Sequence, residues 1–156
     1  MRGHDLENAI NSALLKIRKR KSYKRPPPES GRLYKSHIVH PPSISSCNEG
    51  YGNDPSNLVS RGKRDEEDDN PAIHYGLIAS ADKLIKDASI RDKLAAEREV
   101  LYFEIEVAGL INHFPYLIIR GIYNHSDSHK NKEWQGFTAI VAVAYIKDLL
   151  RYITPN

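Results

Sequence analysis

A chain of 156 residues is long enough to bury one hydrophobic core and too short for two. Its 28% charged residues, nine prolines and mean hydropathy of -0.57 are unevenly spread, with polar and Pro-rich material concentrated before about residue 71, so the compact part is smaller than the chain. The lone Cys47 excludes an internal disulfide, no apolar leader opens the chain, and no run approaches the roughly 18 to 20 apolar residues of a membrane helix. These features predict a soluble intracellular protein of the cytoplasm, with the nucleus left open by a basic run. The net charge of +3 says little about partners, because opposite charges are segregated along the chain.

In chain order, Asp5 is a candidate cap for a short amphipathic helix in which Leu6, Ile10, Ala13, Leu14 and Ile17 recur at helical spacing to about Arg20. The basic run KIRKRKSYKR follows, and Pro26-Pro27-Pro28 stops regular structure. Residues 29 to 70 offer a short strand at Leu33 to Val39, then turn residues and the acidic run RDEEDD, and are expected to be loop, much of it mobile. From Asn70 the texture changes. Ile73 to Ser80 predicts a strand, Ala81 to Ala96 a helix, Val100 to Phe103 a strand and Glu104 to His113 a helix. Pro115 to Tyr123 is continuously apolar, as in a strand buried on both faces, and Trp134 to Ile153 predicts a long closing helix. The chain thus divides into a helix and loop-rich region, 1–70, and an α/β core, 71–156.

Strands alternating with helices argue for an α/β fold with a mainly parallel sheet, in which ligands bind beyond the carboxyl ends of the strands. Three segments fall there: Ser80 to Ile85, Phe103 to Glu106 and Tyr123 to Asp127. Glu104 and Glu106 stand at a strand-to-helix junction, where a carboxylate can accept hydrogen bonds from a sugar diol. Asn124 and Asp127 lie just past the next strand, and an Asn amide can both donate to and accept from a heterocycle edge. The same groups serve equally well as surface-loop polar residues that cap helices.

The stretch Tyr102-Phe103-Glu104-Ile105-Glu106-Val107-Ala108-Gly109-Leu110 resembles F-E-M-E-A-A-G, and Arg120-Gly121-Ile122-Tyr123-Asn124-His125-Ser126-Asp127 resembles R-G-I-C-D-Y-S-D. Both are motifs of the nucleoside phosphorylase and nucleosidase superfamily in its fungal form, where the domain often precedes NACHT, NB-ARC, ankyrin or TPR regions. Asn70 to Ser80, Ser128 to Gly136 and Asp54 to Ser60 resemble that form too. The resemblance implies a partial three-layer phosphorylase/hydrolase-like sheet with flanking helices, in which the N-terminal half of the fold, with its Gly-rich anion loop, is missing. It implies cleavage of a purine nucleoside's N-glycosidic bond, with phosphate as a further partner. Glu106 would hold the ribose hydroxyls, Ile105 and Glu104 would flank it, and Leu84 and Ile85 would offer backbone groups to the purine. Asn124 occupies the place of the family's acid, which protonates the leaving base. An amide can donate a hydrogen bond there but delivers no proton, and general acid catalysis typically contributes roughly 10² to 10⁴-fold. Asp127 matches a second family acid, three residues further on.

No cofactor is implied. His125 and His129 with Asp127 between them have metal-like composition, yet they lie in a loop without an evident fourth ligand, so no metal is expected. The basic run Lys16 to Arg25 reads as a solvated helix end rather than a nucleic-acid surface. Two functional readings follow: a nucleoside-cleaving enzyme, or a catalytically inactive nucleoside-binding or protein-interaction module of a fungal NACHT/ankyrin-type signalling protein. A homo-oligomer or a completing chain would cover the sheet surface that the missing half leaves open.

Overall fold

The computed structural model describes residues 6–18, 20–44, 51, 54–62, 71–80, 83–105 and 117–153. Among them are three α-helices, α1 (Leu6–Lys16), α2 (Ala88–Arg98) and α3 (Glu133–Leu150), and two strands, β1 (Leu77–Ser80) and β2 (Val100–Glu104). The class is mixed α/β. Of the expected three-layer sheet, the described residues form a parallel pair, in which Ile78 faces Tyr102, Ala79 faces Phe103 and Ser80 faces Glu104. α2 makes the crossover between the two parallel strands, as their direction requires.

The core lies between α1 and α3. Leu6 and Ile10, one turn apart, meet Phe137, Ile140 and Ala144, with Trp134, Val141, Tyr145 and Ile73 packed around them. The compositional boundary near residue 70 is therefore not a boundary in the core, since its two faces come from opposite sides of it. α1 starts with Glu7 and ends on Lys16, matching its macrodipole. It stops four residues earlier than periodicity predicts, and its expected cap, Asp5, lies outside the described residues. The basic run then turns through a short 3-10 helix, Arg20–Tyr23, whose backbone seats against α3 at Gly136. A Cβ at 136 would overlap the Ser22 carbonyl oxygen.

α2 begins seven residues later than the sequence pattern predicts. The Asp87 carboxylate accepts from the amides of Ser89 at 2.8 Å and Ile90 at 3.3 Å, which fixes the first turn there. Leu84 and Ile85 consequently precede the helix rather than lining its face. α2 ends at Glu99, which adopts the left-handed conformation (φ 52°) usually given to glycine. The strand expected over Leu33 to Val39 is only one antiparallel bridge, Tyr34 to Leu58, flanked by bonds from Lys35 N to Asn57 O at 3.0 Å and Val59 N to Leu33 O at 2.9 Å.

The third strand is the clearest correction. Of its described part, Leu117 to Tyr123, no residue joins a ladder, and Leu117 is 71% exposed. The segment is instead held by Arg120 and by Gly121, which lies so close to α3 that a Cβ would overlap the Thr138 carbonyl. A continuous apolar run fits against a helix as readily as into a sheet, and hydropathy does not separate the two. The helix expected over Glu104 to His113 falls almost wholly outside the described residues, and Glu104 itself closes β2.

Two substitutions test these backbone constraints by chemical denaturation. Gly121→Ala is expected to destabilise the protein by about 1 to 3 kcal/mol through overpacking against rigid helix backbone. Glu99→Gly is expected to stabilise it by roughly 0.5 to 1 kcal/mol, by relieving a left-handed conformation in a residue with a Cβ.

Candidate functional site

The polar stretch after Gly121 folds into a compact loop, Asn124 to Asn131, that begins with two side-chain-to-backbone turns. Asn124 Oδ1 accepts from Ser126 N at 3.2 Å, and Asp127 Oδ1 accepts from His129 N at 2.9 Å. Ser126 takes a left-handed conformation between them (φ 52°). Ser126, Asp127 and His129 are all buried.

Arg91 on α2 reaches into this loop. Its Nη1 donates to the His125 carbonyl at 2.6 Å and lies 3.9 Å from Asp127 Oδ2, while its Nε donates to Asp92 Oδ1 at 2.8 Å. Asp92 also accepts from the Ser36 hydroxyl, and this bond, more than Arg91, holds its carboxyl below the usual carboxylate range. Beside them, the His129 ring stacks on Tyr34 with centroids 3.9 Å apart and an interplanar angle of 14°. His129 Nε2 is 2.8 Å from the Ile38 carbonyl, which assigns the ring proton to that nitrogen. Ser128 Oγ accepts from His40 N at 2.9 Å, Asn131 Nδ2 donates to Ser30 O at 2.7 Å, and Trp134 Nε1 donates to Ser30 Oγ at 2.9 Å. The loop, with Trp134 of α3, thus ties down the segment from Ser30 to His40, whose residues lie 88 to 104 positions away in sequence.

A cavity of about 270 Å³ lies where α2, β2 and this loop meet, lined among others by Leu33, Arg91, Val100, Phe103, Asn124 and His125. Of the sequence-derived site residues, only Asn124 lines it. Glu104 is buried and accepts from Arg120 Nη2 at 2.9 Å. Asp127 is engaged as above. Ile105 and Leu84 are exposed and Ile85 is half-buried, and none of the three reaches the cavity. Glu106 lies outside the described residues. Among the described residues, no three His, Cys, Asp or Glu side chains converge to hold a metal, and no helix is long and apolar enough to cross a membrane. Arg91 and Tyr34, which organise the cluster, carry no local sequence signal: one is an arginine on a charged helix, the other a tyrosine in a loop.

Comparison with known proteins corrects the family expectation. No family model matches the chain, and no solved structure matches it. A relative described as a nucleotide-binding leucine-rich repeat (NLR)-like protein, from Hyaloscypha variabilis, is 43% identical over 108 residues. That match covers 69% of this chain but 11% of the relative, so the chain spans about a tenth of the protein it resembles. The nucleoside phosphorylase resemblance, and the activity it implied, are not supported by any of these findings. It rested on two short motifs; the first FEIE glutamate, Glu104, neutralises Arg120, the arginine of RGIYN, in the interior, and the second, Glu106, lies outside the described residues.

Three measurements check this account. Tyr34 is 4% exposed, and its hydroxyl has no hydrogen-bond partner among the described residues. Tyr34→Phe is therefore expected to keep the stack on His129 and to raise stability by up to about 1 kcal/mol, whereas His129→Ala loses about 2 to 3 kcal/mol with the stack and the bond to Ile38. Burial chiefly, with help from Arg61 and Arg91, pushes the His125 imidazole below the ordinary 6.5, and Asp127 opposes this only in part. The unfolded chain then takes up a proton near pH 6.5 that the folded chain refuses until lower pH. Stability should be complete above about pH 6.5 and decline as pH falls below it, a slope that His125→Gln is expected to reduce in thermal melts across that range.

Proposed function

We propose that this chain is a non-catalytic protein-interaction module of a cytoplasmic NLR-like protein. One observation carries the reading. Among the described residues, the carboxylates that the α/β half draws inside are each committed to a structural partner, Glu104 to Arg120, Asp127 to Arg91 and the His129 amide, and Asp148 to Arg151. A general acid or base needs a proton-transfer atom facing substrate, and these atoms face the protein. The Asn124 amide oxygen is likewise engaged, closing the turn onto Ser126. The polar loop is accordingly a fastening for the fold.

What the module offers to the outside is apolar. Leu77 and Leu101 on the sheet, Ile90 on α2, and Val143 and Leu150 on α3 are all exposed. Such surface is the usual mark of a docking face when it is contiguous. Similarity to a stretch of a much longer NLR-like protein supports the same reading, because a segment of that size works in the context of its neighbours. The purine nucleoside and phosphate partners rested on the family resemblance and go no further with it.

Titration of this chain into the Hyaloscypha relative, full length and with the matching segment removed, tests the proposal by light scattering and calorimetry. Saturable binding in the micromolar range to either form is the expected result. No binding to either at about 100 μM overturns it, since a functional interface of transient type is already saturated there.

A further inference from the structure

The basic run, a solvated helix end by sequence, has a fixed place in the fold. No Asp or Glu occurs between Glu7 and Glu29, while KIRKRKSYKR carries its cations from the last turn of α1 through the 3-10 turn and on to Arg25. Lys16, Arg18, Arg20, Lys21, Lys24 and Arg25 are all exposed, and among the described residues none of them forms an ion pair. Like charges held together without counter-charges raise the local potential, and an external anionic partner lowers it.

The backbone beneath these cations is tied to the core. Ile17 and Tyr23 pack against the cluster between α1 and α3, and the Ser22 carbonyl lies on the bare backbone of Gly136. Arg20 Nη2 donates back to the Leu15 carbonyl at 2.9 Å, which folds the turn onto the end of α1. At the start of α3, Lys132 and Glu133 are both exposed and offset each other in charge, so the surplus is that of the run.

We propose that this end of the molecule is a docking surface for an acidic phospholipid bilayer, with the outer face of α1 lying at the headgroup boundary. The inference goes beyond the interaction-module reading and does not depend on it. Charge calls for a polyanion, and two observations choose lipid over nucleic acid. First, the run offers no free ring to a base. Tyr23, its one aromatic, is turned to the core, and the Arg25 guanidinium sits 5.9 Å from the centre of the Phe137 ring. Single-stranded nucleic acid is held in large part by stacking on such groups.

Second, an apolar side chain stands beside the cations. Leu15, 69% exposed, lies on the side of α1 opposite Leu6, Ile10 and Ile17, and shares that outer face with the exposed, uncharged Asn8, Asn11 and Ser12. A leucine there gains nothing from a phosphodiester backbone. At a bilayer it meets acyl chains, while the neighbouring lysines and arginines lay their stems along the surface and reach the lipid phosphates. Clusters of roughly four to eight Lys or Arg on an amphipathic helix suit anionic lipid in this way.

The test mixes the full chain with vesicles of phosphatidylcholine alone, or with about one third phosphatidylserine, and reads bound protein by co-sedimentation. Binding to the acidic vesicles is expected to be at least about tenfold tighter than to the neutral ones, and to weaken steeply as salt rises from about 0.1 to 0.5 M. The double variant Lys21→Glu, Lys24→Glu is expected to weaken it by at least about tenfold, and Leu15→Ser by about three- to tenfold with the salt dependence retained. All three positions are exposed and outside the core, so the circular dichroism and melting temperature of the unbound chain should not change. No binding to acidic vesicles, equal binding to both kinds, or full binding by the double variant overturns the charged surface. Full vesicle binding by Leu15→Ser, or tighter binding to a single-stranded or duplex oligonucleotide than to the acidic vesicles, overturns lipid as the partner.

Discussion

The fold depends on a carboxylate placed where it can serve two parts of the chain at once. Asp127 accepts the His129 amide, which shapes the loop, and stands opposite Arg91, which brings α2 to the loop. Removing charge from water is costly, so a buried carboxylate without such partners would open the loop rather than hold it. With them, the loop presents His129, Ser128 and Asn131 in a geometry that receives the Ser30 to His40 segment. The described segment from Ser30 to His40 is thereby fastened at several points.

Beneath this fastening lie two assemblies of different character. One is the pairing of α1 with α3, held by apolar side chains in contact and by the close seating of Gly136 on the 3-10 turn. The other is the β1–α2–β2 unit, a small parallel pair whose outer leucines stay exposed. The segment from Leu117 to Tyr123 connects them. It answers β2 with the Arg120 to Glu104 ion pair and α3 with the bare backbone of Gly121. A residue with a side chain at 121 would push these two assemblies apart, which is why a single hydrogen atom at that Cα matters to both.

The commitment of buried polar groups to one another underlies the proposal of an interaction module. A catalytic centre keeps some titratable groups partly unsatisfied, facing a cavity, with a pKa suited to proton transfer. Here the described buried acids of the α/β half are matched with arginines, and the half-buried imidazole of His125, which lines the cavity, is shifted toward its neutral form chiefly by desolvation. Exposed apolar side chains are found on the outer face of α3 and along the sheet.

The sequence by itself determined the helices with strong periodicity. Leu6, Ile10 and Leu14 recur at the period that buries one face, and the aliphatic run from Phe137 to Leu150 has one stable local form, so α1 and α3 were legible. The parallel strand pair was legible too, because short apolar runs flank a helical one. Other features were decided by tertiary structure alone. Hydropathy cannot say whether Leu117 to Tyr123 enters a sheet or lies on a helix, because burial by either is favourable to the same side chains; the contact with Thr138 decided it. Nor can it say that Tyr34 stacks on His129, or that the glutamate of one motif pairs with the arginine of the other, because those partners are brought together only by the folded backbone. Local sequence fixes what costs free energy locally, and a polar group's duty is set by whichever partner the fold delivers to it.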